Sequence, residues 1–158
     1  MVKKLLVTLL TILLLAGCSS GIGNDFVDEY NNNADKYDAP KLNKGDFGKV
    51  EKEENMSWQT LYESQHFDLS ARLQDGKNVS GYQLKVKDLS RYLDKEGPAY
   101  DATLALSDTL KINAQKISKG IEDLILDGNN EYNDGGYKVS LMSFDLKSEG
   151  ATINIDKK

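Results

Sequence analysis

The chain has 158 residues, with 20 Lys and Arg against 25 Asp and Glu, which gives a formal net charge of −5. This acidic balance opposes binding to nucleic acid and to other phosphate-rich partners. The chain has a single cysteine, so it has no internal disulfide, and a folded domain must depend on its apolar core. No combination of residues predicts a catalytic site, a metal site or a cofactor, and we expect none of the three.

The first 17 residues have the three parts of a secretory signal. Lys3 and Lys4 form a positive start, residues 5–15 are mostly apolar, and Ala16-Gly17 supplies the small residues that a cleavage site needs. The apolar run is about half of the ~20 residues that a helix needs to span a bilayer. A cleaved signal is therefore favoured over a transmembrane helix.

The signal ends in Leu15-Ala16-Gly17-Cys18, which holds the only cysteine. This stretch resembles the lipobox of bacterial lipoproteins. The resemblance implies that the Cys18 sulfur carries diacylglycerol and that cleavage after Gly17 makes Cys18 the first mature residue. It also implies an anchor in the cell membrane on the extracytoplasmic face. The alternative is an ordinary signal peptide followed by an incidental cysteine.

Cleavage would divide the chain into three parts. Residues 1–17 are the signal peptide, residues 18–24 are the lipidated cysteine and a short tether, and residues 25–158 form one α+β domain. Loss of Lys3 and Lys4 leaves 18 basic against 25 acidic residues, a formal net charge of −7. Anionic headgroups repel such a domain, so the lipid chains must hold it on the membrane.

The mature chain begins with a predicted helix. Asn24 or Asp25 is a suitable N-cap, apolar residues then recur at helical spacing, and Asp38-Ala39-Pro40 ends the pattern. Residues 41–55 are polar and predict a loop, with one short edge strand around Val50. The helix residues expected to be buried are Phe26, Tyr30, Ala34 and Tyr37.

Three strands follow, over residues 56–62, 67–73 and 82–86, each with apolar and polar residues in alternation. Asp75-Gly76-Lys77-Asn78 predicts a hairpin turn, because Gly and Asn tolerate a positive φ. Such alternation is typical of a sheet with one buried and one wet face. The first strand is expected to carry Met56, Trp58, Thr60 and Tyr62 on one face.

Helical sequence begins at Gly97-Pro98 and continues to Gly128, either as two helices with Asn113 as the second N-cap or as one bent helix. Residues 127–136 predict a loop. The chain ends with a strand at Tyr137–Leu146, where a change of alternation suggests a β-bulge, and a strand around Ala151–Ile155.

This order of elements predicts an α+β domain with an antiparallel sheet of about five strands, one or two helices on one face, and the N-terminal helix. In element order it resembles small lipoproteins and secreted proteins of Gram-positive bacteria and their phages. The most direct functional expectation is a non-enzymatic binding module, held at the membrane by its lipid, with an envelope protein as a possible partner. Two alternatives are an exclusion or immunity lipoprotein of a phage or mobile element, and a hydrolase or its accessory subunit acting on the cell envelope.

Several groups of polar side chains were weighed as sites, and each has a plainer structural explanation. His66 with Ser64 and Asp68 has the residue types of a hydrolase triad, but residues two apart on a strand do not surround one reacting atom. Residues 127–134 resemble a calcium loop in composition but lack the Gly and Glu of an EF-hand. The remaining groups are the carboxylates Asp94, Glu96 and Asp101, the basic residues Lys85, Lys87, Arg91 and Lys95, and a possible aromatic groove of Trp58, Tyr62, Tyr82 and Tyr137.

Overall fold

The computed structural model describes residues 21–127, 129–143 and 150–158. The predicted signal peptide, Gly17, Cys18 and the predicted helix cap Gly128 lie outside the described residues, as do Phe144 and Leu146, on which the predicted bulge depends. Among the described residues, no helix combines the length and the apolar character that a bilayer crossing needs.

The described chain has four helices and seven strands. The helices are α1 (Asn24–Tyr37), α2 (Leu89–Leu93), α3 (Pro98–Leu110) and α4 (Ala114–Asp127), and a 3₁₀ turn covers Lys44–Asp46. The strands are β1 (Glu51–Glu53), β2 (Met56–Glu63), β3 (Phe67–Gln74), β4 (Asn78–Val86), β5 (Asn129–Asp134), β6 (Tyr137–Ser143) and β7 (Ala151–Lys157).

All seven strands form one antiparallel sheet in the order β1-β2-β3-β4-β7-β6-β5. The fold is therefore α+β with an antiparallel sheet, as predicted, but the predicted count of five strands is wrong. The sheet consists of two meanders, β1–β4 and β5–β7, and β7 joins them by pairing with β4. The last strand in the chain thus occupies a central position in the sheet.

The apolar face of the sheet and the helices form the core. On β3 the alternate residues Phe67, Leu69 and Ala71 are fully buried, and the helix residue Phe26 stacks on Tyr82 of β4 at 4.7 Å between ring centroids. Further along the sheet, a Cβ on Gly120 of α4 would lie 2.5 Å from Leu141 Cδ1 of β6. Helices α1 and α4 therefore lie on the same face of the sheet.

Helix α1 packs along α3 through polar contacts as well as apolar ones. Asn33 Nδ2 donates to Thr109 Oγ1 at 3.1 Å in a buried hydrogen bond, and Tyr37 Oη donates to Asp108 Oδ2 at 2.8 Å. The helix starts at Asn24, as predicted, but its N-cap is Gly23, which offers no side-chain acceptor. The predicted capping role of Asn24 or Asp25 is wrong because both residues lie inside the helix.

The helical region after residue 97 forms two helices rather than one bent helix. Lys111 takes a left-handed conformation with φ of 57° and ends α3. Asn113 Oδ1 then accepts hydrogen bonds from Gln115 N at 2.9 Å and Lys116 N at 3.3 Å, which satisfies backbone donors at the start of α4. The alternative with Asn113 as an N-cap is confirmed.

Two elements of secondary structure were not predicted from the sequence. Residues 129–134 form strand β5 and not a loop, because Gly135 and Gly136 have φ of 53° and 85° and turn the chain tightly into β6. The other missed element is the five-residue helix α2, whose N-cap Asp88 accepts a hydrogen bond from Arg91 N at 3.3 Å.

Candidate functional site

The face of the sheet opposite the helices carries polar, partly exposed side chains, and it is called the open face below. Its side chains come from cross-strand rows in register. One row is Trp58, Arg72, Gly81 and Asp156, and the next is Thr60, Ser70, Gln83, Asn154 and Ser140. The side chains of both rows are partly exposed, apart from the buried Gly81.

The first row contains an ion pair that crosses a strand. Arg72 on β3 reaches over Gly81 on β4, and its Nη2 contacts Asp156 Oδ1 on β7. A Cβ at position 81 would lie 2.7 Å from that carboxylate oxygen and 3.2 Å from Arg72 Nη2. Gly81 is therefore required for this ion pair, because any side chain there would fill the space that the pair crosses.

The same guanidinium group is also placed over an aromatic ring. Arg72 Cζ lies 5.9 Å from the centre of the Trp58 ring, within the range of a cation–π interaction. Met56, two residues before Trp58, places its Sδ 4.0 Å from Arg72 Nη1. Neighbouring side chains thus hold the guanidinium of Arg72, the indole ring of Trp58 and the carboxylate of Asp156 side by side at the surface. We call these three residues the corner.

The second row supplies uncharged hydrogen-bonding groups. Gln83 Nε2 donates to Asn154 Oδ1 at 2.9 Å across β4 and β7, so the two amides orient each other. Ser140 Oγ on β6 donates to Glu131 Oε1 on β5 at 3.2 Å, and Lys138 Nζ lies 2.9 Å from Glu131 Oε2. The hydrogen bond from Lys138 lowers the pKa of the Glu131 carboxyl, which therefore stays ionised.

A concave surface lies between α3 and α4. It is a groove of about 430 Å³, lined by the side chains of Tyr100, Leu104, Ser118 and Lys119 and bordered by a salt bridge of 2.9 Å between Lys95 and Glu122. The hydrogen bond to Glu122 raises the pKa of Lys95. Tyr100 meets the buried Tyr92 edge to face at 5.6 Å, so one wall of the groove rests on the core.

The residues weighed as a hydrolase triad do not form one. Ser64 Oγ donates to Phe67 O at 3.0 Å and accepts from the backbone N–H groups of His66 and Phe67, so it stabilises a turn. Asp68 pairs with Lys87 at 2.6 Å. The His66 side chain contacts the Gln65 amide at 3.1 Å and not a carboxylate.

The residues considered as a calcium loop do not form one loop, because Asp127 ends α4 and residues 129–134 are spread along β5. Glu131 pairs with Lys138, whereas Asp134 Oδ2 accepts a hydrogen bond of 2.7 Å from Asn113 N and lies near Lys116. These contacts lower the pKa of the Asp134 carboxyl, the backbone hydrogen bond being the largest cause. Within the described ranges, no three His, Cys, Asp or Glu side chains are grouped to hold a metal ion.

The carboxylates and the basic residues considered as sites in the sequence do not form a cluster either. Glu96 borders a shallow depression beside His66 and Arg91, and Asp94 is exposed. Burial, and then the negative charge of Asp38, raises the pKa of Asp101. Of the basic residues, Lys87 and Lys95 are in separate salt bridges, with Asp68 and Glu122.

The aromatic side chains considered as a groove do not form one, because they lie on opposite faces of the sheet, and the core position expected as the plainer explanation holds for Tyr62 and Tyr82. The pairing of β2 with β3 shifts between Thr60 and Tyr62, so Leu61 is buried at 2 % exposure and Tyr62 turns to the core face. There Tyr62 stacks on Phe67 at 4.9 Å, and Tyr82 is buried beside Phe26. Trp58 alone remains on the open face, and the prediction that it shares a face with Tyr62 is wrong.

Sequence reasoning missed the corner of Trp58, Arg72 and Asp156. One signal was available: Gly81 interrupts an alternating strand, and an isolated glycine in a strand often marks a close approach by another group. What approaches Gly81 depends on β7 being its neighbour, which the sequence does not reveal.

No protein-family model, no curated protein and no solved structure matches this chain.

Proposed function

We propose that this chain is a lipid-anchored protein on the extracytoplasmic face of a bacterial cell membrane, and that its α+β domain is a non-enzymatic binding module. One observation carries the proposal. Leu15-Ala16-Gly17-Cys18 follows a basic start and a short apolar run, and it contains the only cysteine of the chain. In bacterial lipoproteins the cysteine of such a motif is lipidated and the peptide bond before it is cleaved. The corresponding positions here are Cys18 and the bond after Gly17.

The charge of the mature chain supports an anchor made of lipid. With a formal net charge of −7 after cleavage, the domain has no long-range electrostatic attraction to anionic headgroups. Two acyl chains on one residue give stable attachment, because each buried CH₂ contributes about 0.8 kcal/mol. The membrane is thus the first partner of the protein, reached through Cys18.

For the binding role we propose the open face of the sheet as the contact surface. It combines the corner of Arg72, Trp58 and Asp156 with the ordered amides of Gln83 and Asn154. Side chains that are already held by neighbours lose little rotamer freedom on binding. This supports recognition of a polar partner, such as the surface of another envelope protein.

The anchor is tested by comparing wild type with Cys18→Ala and with the matched control Ser19→Ala in bacteria fed an alkyne-bearing fatty acid. Wild type and Ser19→Ala are expected to be labelled, to begin at Cys18 and to partition with membranes. Cys18→Ala is expected to be unlabelled and uncleaved, because the lipidated cysteine directs cleavage. A Cys18→Ala protein that is cleaved after Gly17 and still partitions with membranes would overturn the proposal.

The contact surface is tested with a photo-crosslinking amino acid in intact cells, placed at Ser70 on the open face or at Lys119 beside the groove between α3 and α4. Adducts from position 70 and none from position 119 are the expected result. Adducts from position 119 alone would assign the binding role to the groove. No adduct from either position would argue against a binding module.

A further inference from the structure

The tether places one edge of the sheet close to the proposed anchor. A Cβ at Gly21 would lie 3.3 Å from Gln59 Oε1 of β2, and Ile22 is buried, so the chain is fixed to the domain from this point. Only residues 19 and 20 separate the anchoring Cys18 from Gly21, and these three residue-to-residue steps span at most about 11 Å at ~3.6 Å each. The bilayer surface must therefore lie close to β2.

The same edge of the sheet exposes large apolar side chains. Among side chains that the structure describes, the large apolar ones that are exposed are Val50, at 40 %, and Met56, at 45 %. Val50 directly precedes β1, and Met56 pairs with Glu53 at the other end of that strand. Gln59 Nε2 donates to Gly48 O at 3.2 Å, which ties the segment before β1 to the part of β2 beside Gly21. We call Val50, β1 and Met56 the β1 edge.

The charge near this edge differs from that of the whole domain. Residues 41–55 contain four lysines and four carboxylates, so this segment has no net charge, whereas the mature chain has −7. The electrostatic repulsion from anionic headgroups is therefore weaker for this segment than for the mature chain as a whole.

The far edge of the sheet cannot reach the same surface when the β1 edge faces it. Five strands lie between β1 and β5, so the two edges are six spacings of about 4.8 Å apart, or roughly 29 Å in all. An upright sheet would place β5 well above the headgroups. A sheet lying on its open face would bring both edges to the membrane, and this difference can be measured.

We infer that the β1 edge is the membrane-facing side of the domain, with Val50 and Met56 in contact with the headgroup region of a phospholipid bilayer. This inference depends on the proposed lipid anchor at Cys18. The contact needs little affinity of its own, because the anchor holds the edge at a high local concentration beside the lipid. In this orientation the open face stands to the side, accessible to a neighbouring envelope protein.

The test uses the full-length, lipidated protein in phosphatidylcholine vesicles that contain a lipid with a nitroxide near its headgroup. A bimane fluorophore is attached at Met56→Cys or, as the matched control, at Asn133→Cys. Both positions lie on the open face at exposed sites, but on opposite edges of the sheet. Val50→Cys provides a second measurement on the β1 edge.

Quenching at positions 56 and 50, with none at position 133, is the expected result. Equal quenching at positions 56 and 133 would mean that the open face lies on the bilayer, and no quenching at positions 56 and 50 would mean that the β1 edge faces away. Either result overturns the inference. Flotation of the lipidated protein with the vesicles, and its loss in the unlipidated chain that begins at Ser19, tests the anchor separately, so failure of the anchor is distinguishable from failure of the orientation.

Discussion

Replacing Gly81 by alanine tests the close approach that places Arg72 against Asp156. The added Cβ would lie 2.6 Å from Ile155 O and 2.7 Å from Asp156 Oδ1. Ile155 O belongs to the backbone of β7, directly beside β4 in the sheet, so it cannot move away without disturbing the pairing of these strands. The steric conflict must therefore be relieved by the backbone or by loss of the ion pair.

The expected loss of stability combines three effects. Overpacking at a site without room costs about 1–3 kcal/mol. Loss of the partly exposed ion pair adds up to about 1 kcal/mol, and the lower entropy of the unfolded alanine chain returns about 0.4–1 kcal/mol. The net destabilisation is about 2 kcal/mol. For the 138 residues from Gly21 to Lys158, this corresponds to a decrease in Tm of about 7 °C.

The control is the same substitution in α4. Gly120→Ala places its Cβ 2.5 Å from Leu141 Cδ1, the end of a side chain that can rotate. Alanine also gains up to about 1 kcal/mol over glycine in a helix, so a change near zero is expected. Thermal denaturation followed by circular dichroism compares the variants, and Asp156→Asn separates the ion pair from the steric effect. A Gly81→Ala protein as stable as wild type would refute the close approach.

Other predictions concern the buried tyrosines and the start of α4. Tyr92→Phe removes one buried hydrogen bond, from Tyr92 Oη to Thr103 Oγ1 at 3.0 Å, and should cost about 1 kcal/mol in urea denaturation, whereas Tyr92→Ala should cost about 3–5 kcal/mol; equal losses would contradict this. Burial raises the pKa of Tyr30, Tyr82 and Tyr92 above the ordinary 10.0, so the stability that their protonated forms supply is complete below pH 10.0 and is lost as the pH rises further; a flat urea midpoint above pH 10.0 would disprove this. Asp134→Ala removes the acceptor of Asn113 N and should increase amide hydrogen exchange at the start of α4 while leaving exchange in α1 unchanged; a uniform increase would contradict the local role.

Hydrophobic periodicity in the sequence was sufficient to predict the helices and strands in which that periodicity is uninterrupted. The spacing of Tyr30 and Ala34 places the buried face of α1, and the alternation of Phe67, Leu69 and Ala71 places that of β3. Asn113 was identified as a cap because its side chain can satisfy backbone donors in any context. These features are local, so a single segment contains all the information that they need.

The features that were missed depend on contacts between distant segments. Strand β5 is rich in Asn, which has a low strand propensity, and it forms because β6 returns beside it after two glycines. The shift in β2 follows from the neighbours Leu61 and Tyr62, which cannot both face the core in a regular strand. The corner on the open face joins β2, β3 and β7, and the position of β7 beside β4 is not encoded in any one of them.

The central position of β7 has a consequence for how the protein is made. Until residues 151–158 are available, β4 and β6 each present an unpaired edge, and the two meanders have no strand between them. A chain that emerges amino end first would therefore complete this sheet only once β7 has emerged. If the chain is exported unfolded, as the proposed lipid anchor requires, this topology keeps the two meanders apart until β7 has passed the membrane.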